Sequence, residues 1–190
     1  ELGEASLKWI LKRGIHLASL QLPGSYEFSA IDQQSIRAAV SSLALNGRFD
    51  KLEMVSLAYC SYINDADLAA VLSKCYGSVK NIELRGCGLT ESMAAHIKCC
   101  TKLEAFAANG NESAADMVEI FEACRKLRRV DLQDLWHRLT DEVLHSMAAQ
   151  IPLLERLNLK CCFTVSDAAI RTVAESCPLL QSINLVDTAI

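Results

Sequence analysis

Nine cysteines and four histidines in 190 residues are the side chains with which this chain could do covalent or metal chemistry. A catalytic thiolate needs an imidazole beside it and a third group to orient that imidazole. The imidazoles on offer are His16, His96, His137 and His145, and no local signature joins any of them to a cysteine. His96 and His145 fall in stretches of helical periodicity and are expected to face solvent, while His137 sits in a loop beside Trp136. Zinc sites usually present two-ligand knuckles such as C-x2-C, a spacing that none of the cysteines shows. Gly86-Cys87-Gly88 and Asn109-Gly110-Asn111 lack the glycine spacing and the lysine of phosphate-binding loops and read as turns. The sequence therefore predicts no catalytic residue, no metal and no cofactor. An odd cysteine count and two adjacent pairs, Cys99-Cys100 and Cys161-Cys162, do not fit a secreted disulfide framework. A reducing intracellular compartment, cytoplasm or nucleus, is expected.

The cysteines are periodic, and that period leads to the elements that must hold them. Cys60, Cys87 and Cys162 share one place in a repeating unit; Cys75, Cys100, Cys124 and Cys177 share another. The unit starts with apolar-x-x-apolar-x-apolar: Leu17/Leu20/Leu22, Leu52/Val55/Leu57, Val79/Ile82/Leu84, Leu103/Phe106/Ala108, Leu127/Val130/Leu132, Leu154/Leu157/Leu159 and Leu180/Ile183/Leu185. First positions are separated by 35, 27, 24, 24, 27 and 26 residues, a self-similarity that chance spacing does not produce. Three residues beyond each strand comes an inward slot holding Cys60, Cys87, Asn111, Leu135 or Cys162. Helix starts follow at Asn64-Asp65, Thr90-Glu91, Thr140-Asp141 and Ser166-Asp167, with Ser113 and Asp116 as a near capping box in the fourth unit. Helices close near Cys75, Cys100, Cys124, Ile151 and Cys177, with Pro152 and Pro178 as stops.

Strand, turn, helix and return in about 25 residues cannot bury an apolar face alone, so neighbours must stack. The fold class expected is α/β, a curved parallel sheet inside and helices outside. Residues 1–190 read as a single domain, with 1–14 as the helix of a preceding partial repeat and repeats starting near 17, 52, 79, 103, 127, 154 and 180. Repeat four, with Ala108 in place of the last strand leucine, is expected to be thin and locally irregular. The chain begins with Glu1 rather than Met and reads as a piece of a longer protein, truncated at one or both ends.

The pattern resembles leucine-rich repeats of the cysteine-containing subtype, as in F-box substrate receptors and antagonist-of-mitotic-exit proteins. The stretch from Leu154-Glu-Arg-Leu-Asn-Leu-Lys-Cys-Cys through Cys177-Pro178 to Leu185 carries that resemblance best. It implies a non-enzymatic protein–protein interaction module, with substrate recognition for a ubiquitin ligase as its specific form. No F-box is visible, since Leu22-Pro23 lies inside the first repeat, so an adaptor link would reside in sequence outside these residues. A scaffold in a cytoskeletal or multi-subunit assembly is the second reading, and a cysteine-dependent enzyme the third.

Alternate strand residues point oppositely, so the side chains between core positions face a partner. The polar ones concentrate in repeats three, five and six as Glu83, Arg85, Arg129, Asp131, Arg156 and Lys160. Asp134, Trp136 and His137 on the loop edge complete the candidate partner-binding set, with Tyr59 and Tyr62 in the equivalent loop of repeat two. Glu83 beside Arg85 and Arg129 beside Asp131 are also the arrangement expected of charges that pair across strands. The formal charge of −4 and pI near 5.6 offer little to a nucleic-acid backbone, and charges interrupt every apolar stretch short of membrane-spanning length. A protein or peptide partner is expected, with no nucleic acid and no membrane insertion.

Overall fold

A computed structural model describes residues 17–22, 24, 33–34, 37–38, 40–41, 49–87, 91–108 and 114–190. Seven three-residue strands form one sheet in chain order: β1 Ser19–Gln21, β2 Met54–Ser56, β3 Asn81–Glu83, β4 Ala105–Ala107, β5 Arg129–Asp131, β6 Arg156–Asn158 and β7 Ser182–Asn184. Every neighbouring pair is parallel, and the register never slips. Leu20, Val55, Ile82, Phe106, Val130, Leu157 and Ile183 stand in one unbroken row. Parallel neighbours require a crossover, supplied here by α1 Asp65–Leu72, α2 Ala94–Ile97 behind a 3-10 turn at Glu91–Met93, α3 Ala114–Ala123, α4 Asp141–Gln150 and α5 Asp167–Ser176. Successive helices pack against one another as successive strands do. This is the leucine-rich-repeat solenoid that the sequence period implies.

The core lies between the strand row and the helices. From the second to the sixth repeat every residue of the repeated apolar pattern is buried, down to Ala108. In repeat four the strand keeps its register, and Phe106 and Phe121 are the largest fully buried side chains. The expected irregularity is therefore absent from the strand itself. At the seventh strand, which has a neighbour on one side, Leu180, Ile183 and Leu185 are only partly covered.

Both cysteine slots face this core as free thiols. In the strand-end slot each thiol donates to the carbonyl that closes the preceding strand: Cys60 to Leu22 (3.7 Å), Cys87 to Leu57 (2.8 Å) and Cys162 to Leu132 (3.2 Å). A small apolar side chain with one weak donor reaches a turn carbonyl of the preceding repeat without importing a second polar atom. In the helix-end slot Cys124 and Cys177 donate to carbonyls of the preceding repeat, Cys100 and Ile151 respectively (3.5 and 3.9 Å).

The helix starts follow the sequence signals in part. Asn64 and Asp67 make a reciprocal capping box, and Ser166 accepts from the Ala169 amide. Thr140 holds the N-cap backbone conformation, but its hydroxyl turns to Glu142 (3.2 Å). Caps also stitch repeats together, as Ser166 donates to Asp141 (2.6 Å) and Arg37 and Ser41 reach Asp67 (2.7 and 2.9 Å). A row of opposite charges runs along the residues that precede the strands: Glu53, Lys80, Glu104, Arg128 and Glu155, with ion pairs Lys80–Glu53 (2.9 Å) and Arg128–Glu155. The helix assigned to residues 1–14, His16, residues 23, 25–30 and 42–48 of the lengthened first repeat, Thr90, the segment 109–111 and the cap at Ser113 all lie outside the described residues.

Candidate functional site

The face of the sheet turned away from the helices carries two rows of side chains. Ser19, Met54, Asn81, Ala105, Arg129, Arg156 and Ser182 form the first; Gln21, Ser56, Glu83, Ala107, Asp131, Asn158 and Asn184 form the second. No helix among the described residues covers these rows, and from β2 to β7 they line a trough of about 530 Å³. Its floor is lowest at β4, where both outward residues are alanines, flanked by longer side chains on β3 and β5.

The alanine at 107 has an electrostatic consequence. Arg85 pairs with Glu83 beside it and extends over Ala107 to Asp131 on the strand beyond (Nη1–Oδ2 3.3 Å). Ser56 donates to the other oxygen of Glu83 (2.8 Å), so one network ties β2, β3 and β5 across a strand that contributes no polar side chain. Desolvation opposes ionisation of Glu83, but the hydrogen bonds from Arg85 and Ser56 outweigh it and hold the carboxyl below its ordinary range. Burial alone does not decide a titration when the charged form is the one bonded.

Three of the candidate residues are thus brought together, and the pairing differs from the one their spacing suggests. Asp131 is engaged by Arg85 from two strands away, and Arg129 is exposed. Arg156 stands in register with Arg129 and is exposed as well. Lys160 is half-buried just beyond β6, its amide bonded to Asn158.

Asp134, Trp136 and His137 lie apart from the trough, on the edge where strands turn toward helices. Two residues past the last core position, the chain adopts positive φ in each of five repeats: Tyr59 (61°), Gly86 (65°), Asp134 (60°), Cys161 (59°) and Asp187 (56°). Non-glycine residues adopt this conformation uncommonly, Asp more readily than Tyr or Cys. Here the amides of Tyr59, Asp134 and Cys161 donate to Arg85, Lys160 and Val186 of the next repeat (2.5, 2.9 and 3.0 Å), so the turns stack as tightly as the strands. Trp136 is 57% exposed and Phe163, its equivalent one repeat later, 42%. The Phe163 amide donates to the Trp136 carbonyl (3.0 Å), and the ring lies 5.6 Å from that of His137.

Phe163 has to be added to the candidate set; its position four residues past Leu159 matches that of Trp136 past Leu132, so repeat alignment contains the signal. The two tyrosines part company. Tyr59 is exposed with its ring over Gly86, whereas Tyr62 is half-buried against Cys60, its phenol pushed up first by burial and then by that thiol. Tyr62 is a packing residue. His145 faces solvent as expected, while His96 is partly buried with Nδ1 3.2 Å from the Tyr76 hydroxyl.

The thiols move away from nucleophile chemistry. Burial pushes Cys75 and Cys124 up to about 12 and Cys162 up to about 11, opposite to the depression that a reactive cysteine requires. Among the described residues no group of three or more His, Cys, Asp or Glu is arranged to hold a metal ion, and no helix is long and apolar enough to cross a membrane.

No family model and no curated protein matches the chain. Among solved structures it is similar to a chain of the yeast Rad7–Elc1 complex, at TM-score 0.64 and 19% identity over 96% of this chain and 53% of that one. The chain thus spans about half the length of that neighbour. It also matches the Caenorhabditis elegans tropomodulin C-terminal domain at TM-score 0.46 and 13% identity, covering 93% of this chain and 92% of that one. The Rad7–Elc1 likeness establishes the shared solenoid fold.

Proposed function

We propose that the chain is a non-enzymatic protein-interaction module that receives a polypeptide partner in the trough of the sheet, with the aromatic edge at Trp136 and Phe163 as a second contact. The observation that carries this reading is the sheet face that no described helix covers: six strands line an open trough with an apolar floor and polar side chains, backed by an unbroken register and a packed core. A surface already ordered before binding spends little entropy on docking. Exposed aromatic side chains beside it are the residue type enriched among binding hot spots.

A photo-crosslinking amino acid placed at Met54 or Ser182 in the trough, and at Ala174 on the outer side of α5, tests this inside cells. Discrete protein adducts are expected from the two trough positions over the background of the helix position. Equal labelling from all three sites would remove the trough from consideration.

The finer reading is substrate recruitment for ubiquitin transfer. It draws support from the resemblance to cysteine-containing F-box repeats and from the fold shared with a chain of a complex between Rad7 and Elc1. This reading expects the protein that contains these repeats to co-purify with a Skp1-type adaptor through sequence outside residues 1–190. Consistent failure to retain one would end the ligase role and leave the interaction module standing.

A further inference from the structure

The two exposed arginines of the trough stand side by side without a counter-ion among the described residues. Arg129 and Arg156 are in register on β5 and β6, which places their backbones about 4.8 Å apart. Like charges directly opposite one another on a sheet are unfavourable unless compensated. Each has an acidic residue close in sequence, and both acids are engaged elsewhere: Asp131 by Arg85, and Glu155 by Arg128. Among the described residues neither Arg129 nor Arg156 makes an ion pair or a side-chain hydrogen bond. Lys160, just beyond β6, likewise lacks a carboxylate partner among the described residues. On a chain of net charge −4, this end of the trough is locally cationic.

Resting on the interaction reading above, we infer that the trough selects an acidic segment of its protein partner, with Arg129 and Arg156 together clasping a carboxylate. Guanidinium groups suit this task because each presents a planar fork of donors that matches a carboxylate. Ala105, the first-row neighbour of Arg129 on β4, leaves room for the segment's backbone to lie close to the sheet beside the clasp. Glu83 and Asp131 share Arg85, so a basic segment finds both carboxylates already paired. The arrangement discriminates by sign: the unpaired cations attract an acidic segment, while the engaged anions offer a basic one less.

Fluorescence anisotropy with three labelled decapeptides tests the inference: one rich in Asp and Glu, one with the matching amides, and one basic. The acidic peptide is expected to bind, and its affinity to fall steeply between low and physiological salt. Arg129→Gln and Arg156→Gln should each weaken it about tenfold, while Arg171→Gln on α5 leaves it unchanged. Circular dichroism melts should show all three variants folded, since these arginines are exposed. Unchanged affinity in both trough variants would overturn the inference, as would equal binding of the amide peptide. A single-stranded oligonucleotide that displaces the acidic peptide at lower concentration would overturn it too, by showing that phosphate is the preferred anion. Binding of the amide or basic peptide alone, lost in Ala105→Trp, would sink the acidic selectivity while sustaining the trough as a polypeptide site. No binding by any peptide, together with equal crosslinking from trough and helix, would take down both readings.

Discussion

Phe106 and Ala107 are adjacent on one strand and answer to different demands. Phe106 continues a row that is apolar in all seven repeats, and its neighbours on β3 and β5, Ile82 and Val130, are as buried as it is. Ala107 interrupts a row whose other members are polar, and its small size lets Arg85 cross to Asp131. The sealed face repeats because stacking demands the same solution at every step. On the open face nothing about stacking fixes the residue type, so departures from repetition collect there, and the proposed partner would read them.

The contrast is broken most severely from the sealed side. Leu132→Ala or Leu157→Ala should lower stability by about 2–5 kcal/mol, because each leaves a cavity between repeats that cannot collapse against a rigid ladder. Chemical denaturation monitored by circular dichroism checks this, and a loss under about 0.5 kcal/mol would place these leucines on the surface. Next in size comes the turn row. A Cβ on Gly86 would lie 2.6 Å from the Tyr59 ring, at a φ of +65° that side chains resist. Gly86→Ala should therefore cost about 1–3 kcal/mol. Tyr59→Ala in the same background should recover the part due to the clash, and only that part, which a double-mutant cycle would separate from the backbone strain.

How much was legible follows the same division. The strands, the buried row and both cysteine slots could be read from spacing alone, since leucines and thiols recur wherever the same cavity recurs. The helix ends were readable at Asn64 and Ser166, where side chains cap as their types suggest, and less so at Thr140, whose hydroxyl had a competing partner in Glu142. The candidate set contained Glu83, Arg85, Asp131, Arg129 and Arg156, but not their pairing. That pairing depends on Arg85 reaching over an alanine to the second strand away, which no local spacing encodes. Positive φ was signalled by Gly86 and, more weakly, by Asp134 and Asp187; Tyr59 and Cys161 give no hint of it, and their amides are bonded to the next repeat.

Proton titration distinguishes the network from the bare sheet at smaller amplitude. The Glu83 carboxyl is held below its ordinary range, so the pair with Arg85 adds stability at pH above the unfolded-state value, near 4.3. That increment is lost as the pH falls through the lower folded-state value. Glu83→Gln should thus be less stable than the parent at neutral pH, with the difference shrinking in acid as the parent's carboxyl is protonated. Thermal melts between pH 7 and pH 3 provide the measurement. A gap that persists undiminished at the acid end would mean that shape rather than charge makes Glu83 matter.

The smallest effect on stability belongs to the residues argued to matter most for binding. Arg129→Ala and Lys160→Ala should change unfolding free energy by no more than about 0.5 kcal/mol, because neither side chain has an ion-pair partner to lose among the described residues. Arg129→Ala has a reason to be slightly stabilising, since it removes one of two like charges that face each other across β5 and β6. Added salt should erase that gain by screening the repulsion in the parent. Urea titrations of both variants at low and high salt check the sign as well as the size. A clear loss of stability on removing Arg129 would reveal a native contact for that guanidinium, and an arginine already occupied within the fold could not be waiting for a partner's carboxylate.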